Sequence, residues 1–466
     1  MHLIPASWSH FHILVTVFPL VGLIFVLVAY VAGMITGNEG LKRICLGLFV
    51  LLALLVPAVF FSGDYSMAQL TAAKSPRMSE SMLDLHYGWG IAALVPLGLA
   101  GFAALIALVR TRRGKPVSDN MLHLVLGLAI VTLAFMVLVG ELGWEINHHE
   151  LRIPDSKTSQ IWSHVHMILN HFPTVGFVLT LAIYLYALVT NNDAMKRTGL
   201  VLFVACCILG IPTYVTGTAS MWALTSPPIQ GISKAVINAH RDMALWSLFG
   251  LGFTGVTAWL ELWLYRFRGK FSNTTLYVIL GLALVTLGIM AETGHRGGQI
   301  NHPEIILPTD VLRTDAGAGI SAYVEIAINH LQWFVPWQTL HFFGYSMVFG
   351  VALLMCLRAL GFWKSVPFSA IYRIMPLGVF AVTINVFSGM LILLADAERY
   401  LNNTTFIPKI IFLTIGALAV LYFSVAEKVW HVKAGEDAPM SAKWVSVLVL
   451  VSWSIVIMGG RLLPYV

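Results

Sequence analysis

Two stretches of the chain carry the same histidine pattern, W-S-H-x-H followed by F-P-x-V-G, at a spacing of 154 residues. A repeat at fixed spacing indicates that one structural unit occurs twice. Imidazole is the commonest protein ligand for metal ions, so the repeated side chains could form two equivalent metal sites. The histidines concerned are His10, His12 and His86 in the first copy and His164, His166 and His240 in the second.

The elements that must position these histidines are apolar helices. Of 466 residues, 58% are hydrophobic and 11% are charged, which is far from the composition of a soluble domain. Apolar runs of about 18 or more residues can cross a bilayer, and a spanning backbone without water must be helical. The sequence predicts an all-α polytopic membrane protein with about twelve spans, at 10–35, 42–61, 84–109, 121–142, 164–190, 196–217, 240–264, 275–293, 339–361, 371–394, 407–428 and 444–463.

Lys and Arg residues set the expected orientation. Most of the 28 basic residues fall in the short loops that follow odd-numbered spans, so these loops are predicted to face the cytoplasm. Both termini then lie outside, in a bacterial inner membrane, and the first span is retained. The net charge of +6 follows from this loop bias, so a nucleic-acid partner is not expected and membrane lipid is.

The repeat predicts the domain organisation. Residues 1–155 and 156–308 form two four-helix units, 309–338 an outer loop, and 339–466 a third four-helix unit without the W-S-H-x-H string. An even number of spans per unit gives a parallel tandem repeat. Inverted repeats are the commoner mark of alternating-access transporters, so a transporter is the less favoured interpretation.

Paired histidines at equal depth point to haem. The first and third helices of each unit both start outside, which places His12 level with His86 and His166 level with His240. Two imidazoles facing each other across a bundle are what a six-coordinate haem b requires. The two histidines of each W-S-H-x-H string point about 200° apart, so they cannot both bind one iron. Within the strings the ligand therefore stays open between His10 and His12, and among His164, His166 and His171.

Further polar residues near the outer face are candidates for supporting roles. His148 and His302 lie in a repeated I-N-H string and are haem ligands, part of a copper site, or loop caps. The carboxylates Glu141 and Glu292 could complete that copper site, relay protons or pair with an arginine. Asp84 and Asp242 lie beside the third-helix histidines and could orient an imidazole. No C-x-x-C-H string occurs, which argues against covalently attached c-type haem.

The second unit also resembles a family of bacterial predicted membrane proteins of unknown function, which carry a His-Phe-Pro first helix and a Gly-His-x-Gly-Gly fourth helix. The corresponding residues here are His171-Phe172-Pro173 and Gly294-His295-Arg296-Gly297-Gly298. The third unit resembles a small membrane family related in layout to cytochrome b and copper-resistance subunits, with His341 at the matching position. The resemblance implies a b-type cytochrome or a partner of periplasmic redox enzymes.

Together these features predict a membrane b-type cytochrome with two haems, and a third if His341 is a ligand. It would connect an outer partner, such as a periplasmic cytochrome c or oxidoreductase, with a quinone bound near Trp337, Gln338 and His341. Whether the chain is itself an enzyme stays open. The alternatives are a copper- or proton-linked transporter and a non-haem metal oxidase with mixed ligands such as Glu141 and His148.

Overall fold

The computed structural model of the chain describes residues 7–36, 39–73, 79–112, 118–147, 157–225, 232–301, 306, 319–320, 328 and 334–463. These residues form helices and connecting turns, and no strand occurs among them. The helices are α1 Trp8–Thr36, α2 Glu39–Leu54, α3 Val56–Ala73, α4 Glu80–Arg112, α5 Asp119–Asn147, α6 Lys157–Val189, α7 Asp193–Thr225, α8 Lys234–Arg268, α9 Asn273–Asn301, α10 Phe334–Leu360, α11 Phe368–Tyr372, α12 Met375–Ala395, α13 Ala397–Leu401, α14 Phe406–Val425, α15 Glu427–Trp430 and α16 Met440–Leu462.

The predicted fold class is confirmed. Within the described residues, twelve helical segments are long and apolar enough to cross a membrane. Large apolar side chains such as Val95, Phe102 and Phe253 are exposed on their surfaces, and an aqueous surface rarely tolerates so many. Such faces are expected where hydrocarbon tails cover the helix.

The second span is longer than its hydrophobic run predicts. It extends over Glu39–Ala72, with an interruption at Leu55, instead of ending at residue 61. The polar residues after 61 remain helical because they pack toward α1: the hydroxyl groups of Ser66 and Ser9 hydrogen-bond at 3.0 Å. This extension carries Ser62 and Gly63, which contact a predicted site histidine.

The chain divides into two compact units, residues 1–160 with 297–311, and residues 161–296 with 312–466. In the first unit, α1 packs against α2, α3 and α5, and α4 packs against the same three helices. Helices α1 and α4 therefore stand diagonally across a bundle. The boundaries predicted at 155, 308 and 338 stay predictions, and most of the loop 309–338 lies outside the described residues.

Side-chain interactions recur at the 154-residue offset in separate parts of the chain. The Tyr30 hydroxyl donates to the Leu122 carbonyl at 3.2 Å, and the Tyr184 hydroxyl donates to the Leu276 carbonyl at 2.9 Å. Two helix crossings also match, and both depend on glycine. A Cβ built at Gly101 would lie 2.1 Å from Ala53 Cβ, and one built at Gly255 would lie 2.4 Å from that of Cys207. Cys207 is thus a small packing residue.

The remaining helices of the second unit are held at one end by a buried arginine. The Arg358 guanidinium donates to the carbonyl oxygens of Val366, Lys433 and Glu436. In the same loop, hydrogen bonds from Lys364 and Lys443 lower the pKa of the exposed Asp437 carboxyl group. This basic end is the one that the sequence assigns to the cytoplasm.

Candidate metal centre

The first candidate site is a pair of facing imidazoles inside the first bundle. His12 lies in the second turn of α1 and His86 in the second turn of α4, and both side chains are partly buried. Their ring centroids are 6.3 Å apart and the ring planes are 89° apart. The diagonal arrangement of α1 and α4 is what brings one histidine from each helix into the interior.

The second pair repeats this geometry on α6 and α8. The ring centroids of His166 and His240 are also 6.3 Å apart, with the ring planes 71° apart. Of the histidines left open within each string, the structure therefore pairs His12 with His86 and His166 with His240. The two bundles, which are copies of one repeated unit, therefore share the same centroid distance.

Each of the four imidazoles is fixed through Nδ1. His86 Nδ1 lies 2.9 Å from the Val139 carbonyl oxygen, and His240 Nδ1 lies 3.0 Å from that of Thr293. His166 Nδ1 lies 3.1 Å from the Thr213 carbonyl oxygen. Since a carbonyl can only accept, Nδ1 must carry the proton. The lone pair of each ring is then on Nε2, which is the tautomer that ligates a metal through Nε2.

The Ser62 hydroxyl group fixes His12 in the same Nδ1-protonated tautomer. Its Nδ1 lies 3.0 Å from Ser62 Oγ, and Ser62 donates its own proton to the Val59 carbonyl oxygen at 3.1 Å. The hydroxyl oxygen is thus an acceptor for the imidazole N–H. In the second pair, the Thr216 hydroxyl lies 3.4 Å from His166 Nδ1 and donates to the Thr213 carbonyl oxygen.

A glycine on the neighbouring helix lies against three of the four rings. A Cβ built at Gly63 would lie 2.9 Å from His12 Cε1, and one built at Gly217 would lie 2.7 Å from His166 Cε1. Gly143 on α5 has the same relation to His86, at 2.9 Å. These distances are shorter than any real Cβ contact, so a side chain there would displace the imidazole. The Ser62-Gly63 and Thr216-Gly217 dipeptides therefore cradle the rings.

The ring separation matches two ligands of one six-coordinate metal ion. A metal–imidazole bond is about 2.0–2.1 Å long. A ring nitrogen lies about 1.1 Å from the ring centre when the bonds are about 1.33 Å. Two imidazoles binding one ion from opposite sides therefore have centroids about 6.3 Å apart.

Two arginines lie beside the second pair. Arg241 follows His240 on α8; its Nε is buried and has no hydrogen-bond partner among the described residues, and its Nη1 contacts the Met221 sulfur. Arg296 Nε lies 3.0 Å from Glu292 Oε1, so that predicted carboxylate is neutralised by an arginine. A buried guanidinium nitrogen with no acceptor among the described residues is costly, and an acidic ligand group would be stabilised beside it.

The other sequence-predicted residues do not hold Nδ1 of the paired rings. Asp84 and Glu141 are exposed, so backbone carbonyl groups, and not Asp84 or Asp242, hold Nδ1 of His86 and His240. The reason is that a carbonyl group on the neighbouring helix is better placed than a carboxylate on the same helix. His171 directs Nδ1 to the Met167 carbonyl of its own helix.

Several predicted ligands are accounted for elsewhere in the chain or fall outside its described part. His164 and His295 make other interactions, and His295 is buried. The side chain of His10, together with His148 and His302, lies outside the described residues. Across the described part of the chain, no group of three or more His, Cys, Asp or Glu side chains converges as a metal site.

Comparison with known proteins identifies one segment. Residues 163–303, which include the second histidine pair, match a family of predicted membrane proteins (DUF2231). This agrees with the resemblance of the second unit to such a family. No curated protein and no solved structure matches the chain.

Proposed function

We propose that the chain is a membrane b-type cytochrome that holds one haem between His12 and His86 and another between His166 and His240. The observation that carries the proposal is the ring separation of 6.3 Å, found twice, with the Nε2 lone pair left for a metal in each ring. A porphyrin supplies four equatorial nitrogens, so two protein ligands are sufficient for its iron. When bound, that iron would supply one-electron chemistry.

The second site also fits the acidic edge of the macrocycle. Haem carries two propionate groups, and Arg241 presents a buried Nε without a partner among the described residues. The matching position of the first unit is Tyr87, whose hydroxyl donates to Asp64. The two sites thus have the same pair of histidine ligands but differ in the charge of the neighbouring residue. This difference would give the two haems different midpoint potentials.

The proposed setting is a bacterial inner membrane with both termini outside. The bias of basic residues toward alternate loops supports this orientation, in which both histidine pairs would lie near the outer face. The proposed partners are a periplasmic cytochrome c or oxidoreductase subunit and the quinone pool. The proposed quinone site lies near Trp337, Gln338 and His341, where the sequence predicts it. In the bundle that contains His341, the ring centroids of Trp337 on α10 and Phe387 on α12 are 5.7 Å apart.

An optical spectrum tests the proposal. Full-length protein purified in detergent is expected to show a reduced-minus-oxidised spectrum with the alpha band of b-type haem. Acidified organic solvent should extract the haem, because no thioether bond attaches it. A protein that contains copper or no metal, and whose spectrum does not change on reduction, would contradict the cytochrome and favour the transporter or oxidase interpretation.

Arg241→Gln is expected to lower the midpoint potential of one haem. A unit positive charge on the order of 10 Å from a haem iron, in a medium of effective dielectric about 20, would stabilise the reduced iron by about 2 kcal/mol, or on the order of 50–100 mV. Redox titration should show one component shifted downward by tens of millivolts and the other unchanged. The exposed Arg373→Gln is the control. Equal shifts of both components, or none, would contradict the assignment of Arg241 to one site.

A further inference from the structure

The third bundle contains half of the same ligand arrangement, although it lacks the W-S-H-x-H string. His341 on α10 points Nδ1 at the Asn385 carbonyl oxygen, 2.9 Å away, and the Ser388 hydroxyl lies 3.2 Å from the same nitrogen. Ser388 donates to the Asn385 carbonyl oxygen, as Thr216 does to that of Thr213. The imidazole is therefore the same Nδ1-protonated tautomer.

A glycine lies against this ring as well. A Cβ built at Gly389 would lie 3.0 Å from His341 Cε1. The Ser388-Gly389 dipeptide on the second span thus repeats Ser62-Gly63 and Thr216-Gly217. The side-chain amide of Asn385 donates to the His341 backbone oxygen at 2.9 Å, and the same amide nitrogen lies 3.2 Å from Nδ1 and 3.5 Å from Nε2.

Lys409 occupies the position where the other bundles have their second histidine. It lies in the first turn of α14, the third span of this bundle, as His86 and His240 lie early in α4 and α8. His86 packs against Gly143 of the fourth span. Lys409 packs against Gly459 and Gly460 of α16, with built Cβ atoms 3.3 Å from Lys409 Cβ and 3.5 Å from Nζ.

The Lys409 amine has no hydrogen-bond or ion-pair partner within the described part of the chain, and its side chain is partly buried. A lysine within an apolar span normally pairs with an acid or reaches the interface, so an unpaired one in a bundle that also holds a fixed imidazole is a functional candidate.

We propose that His341 and Lys409 form a third haem site, with an imidazole on one face of the iron and the lysine amine on the other. The inference rests on the proposed function, because it extends the paired-ligand arrangement to a bundle in which one ligand differs. Ligation requires the neutral amine, so haem binding releases the ammonium proton to solvent. Because lysine stands here in place of the second histidine, this haem would differ from the other two in its axial ligands and in its midpoint potential.

The ligand types predict a distinct spectroscopic signature. The ring planes of the two histidine pairs are 89° and 71° apart, an arrangement that would leave the dxz and dyz orbitals of a bound low-spin iron nearly degenerate. Such sites give strongly anisotropic low-spin EPR signals. An amine has no π orbital, so at the third site the single imidazole plane removes the degeneracy. A third, more rhombic low-spin signal is therefore expected.

Lys409→Leu and Lys409→His test the proposal in the full-length purified protein. The wild-type chain is expected to contain three haems and to bind no carbon monoxide when reduced. In Lys409→Leu the rhombic signal should disappear, and one ferrous haem per chain should bind carbon monoxide through its open position. Lys409→His should restore a six-coordinate iron and abolish carbon monoxide binding, which also shows that the bundle still folds.

The outcomes separate this inference from the proposed function. A wild-type chain with two haems and no rhombic signal would overturn the third site and leave the two histidine pairs intact. A rhombic signal that persists in Lys409→Leu would likewise overturn lysine ligation. Absence of all haem from the wild-type chain would instead overturn the proposed function.

Discussion

His86→Leu is expected to remove one bis-imidazole haem from each chain, and His240→Leu to remove the other. Each substitution deletes one of two axial ligands and leaves its partner, His12 or His166, facing an apolar side chain. The anisotropic low-spin EPR signal should fall by about half in either single variant and disappear in the double variant. The two losses should add, because the sites share no residue.

A matched histidine control is available in the same protein. His123 is exposed, and its Nδ1 contacts the Asp119 carbonyl oxygen of its own helix. His123→Leu should therefore leave the haem content and the EPR signal unchanged. If His86→Leu and His240→Leu both kept the full low-spin signal, these histidines would not be ligands.

Gly217→Ala is expected to weaken haem binding at the second site without removing any ligand. The added Cβ would lie 2.7 Å from His166 Cε1, and the Nδ1 contact with Thr213 prevents a simple retreat of the ring. Overpacking of this kind costs about 1–3 kcal/mol. Haem transfer to an excess of an apoprotein acceptor should therefore be about tenfold faster or more for one haem per chain.

Gly281→Ala isolates the contact from the change in helix propensity. Gly281 and Gly217 both lie inside apolar helices, but a Cβ built at Gly281 would have no atom within 4 Å. Alanine favours a helix over glycine by about 1 kcal/mol at either position. Equal haem-transfer rates for the Gly217→Ala and Gly281→Ala variants would show that the glycine cradle does not position the imidazole.

Much of the architecture could be predicted because it depends on hydrophobic length and on repetition. Span number follows from apolar runs, and the pairing of His166 with His240 follows from their 154-residue offset from His12 and His86. Helix periodicity also shows that the two histidines of one W-S-H-x-H string cannot bind the same iron. Which of the two histidines faces the interior depends on the rotation of the helix within its bundle, and packing sets that rotation.

The anchoring contacts could not be predicted, for a physical reason. Val139, Thr213 and Thr293 act through backbone carbonyl groups, which every residue possesses and no side-chain pattern reveals. Lysine near a span end usually extends to the interface, so nothing in the sequence singled out Lys409. The repeated Ser/Thr-Gly dipeptide is the signal that could have indicated the third bundle.

A cryo-electron microscopy map of the purified full-length protein tests the central claim most directly. Flat macrocycle density with a strong central peak is expected between His12 and His86 and again between His166 and His240, with Nε2 about 2.0 Å from each peak. Imidazoles that contact each other, water or lipid at that separation, with no density between them, would contradict it.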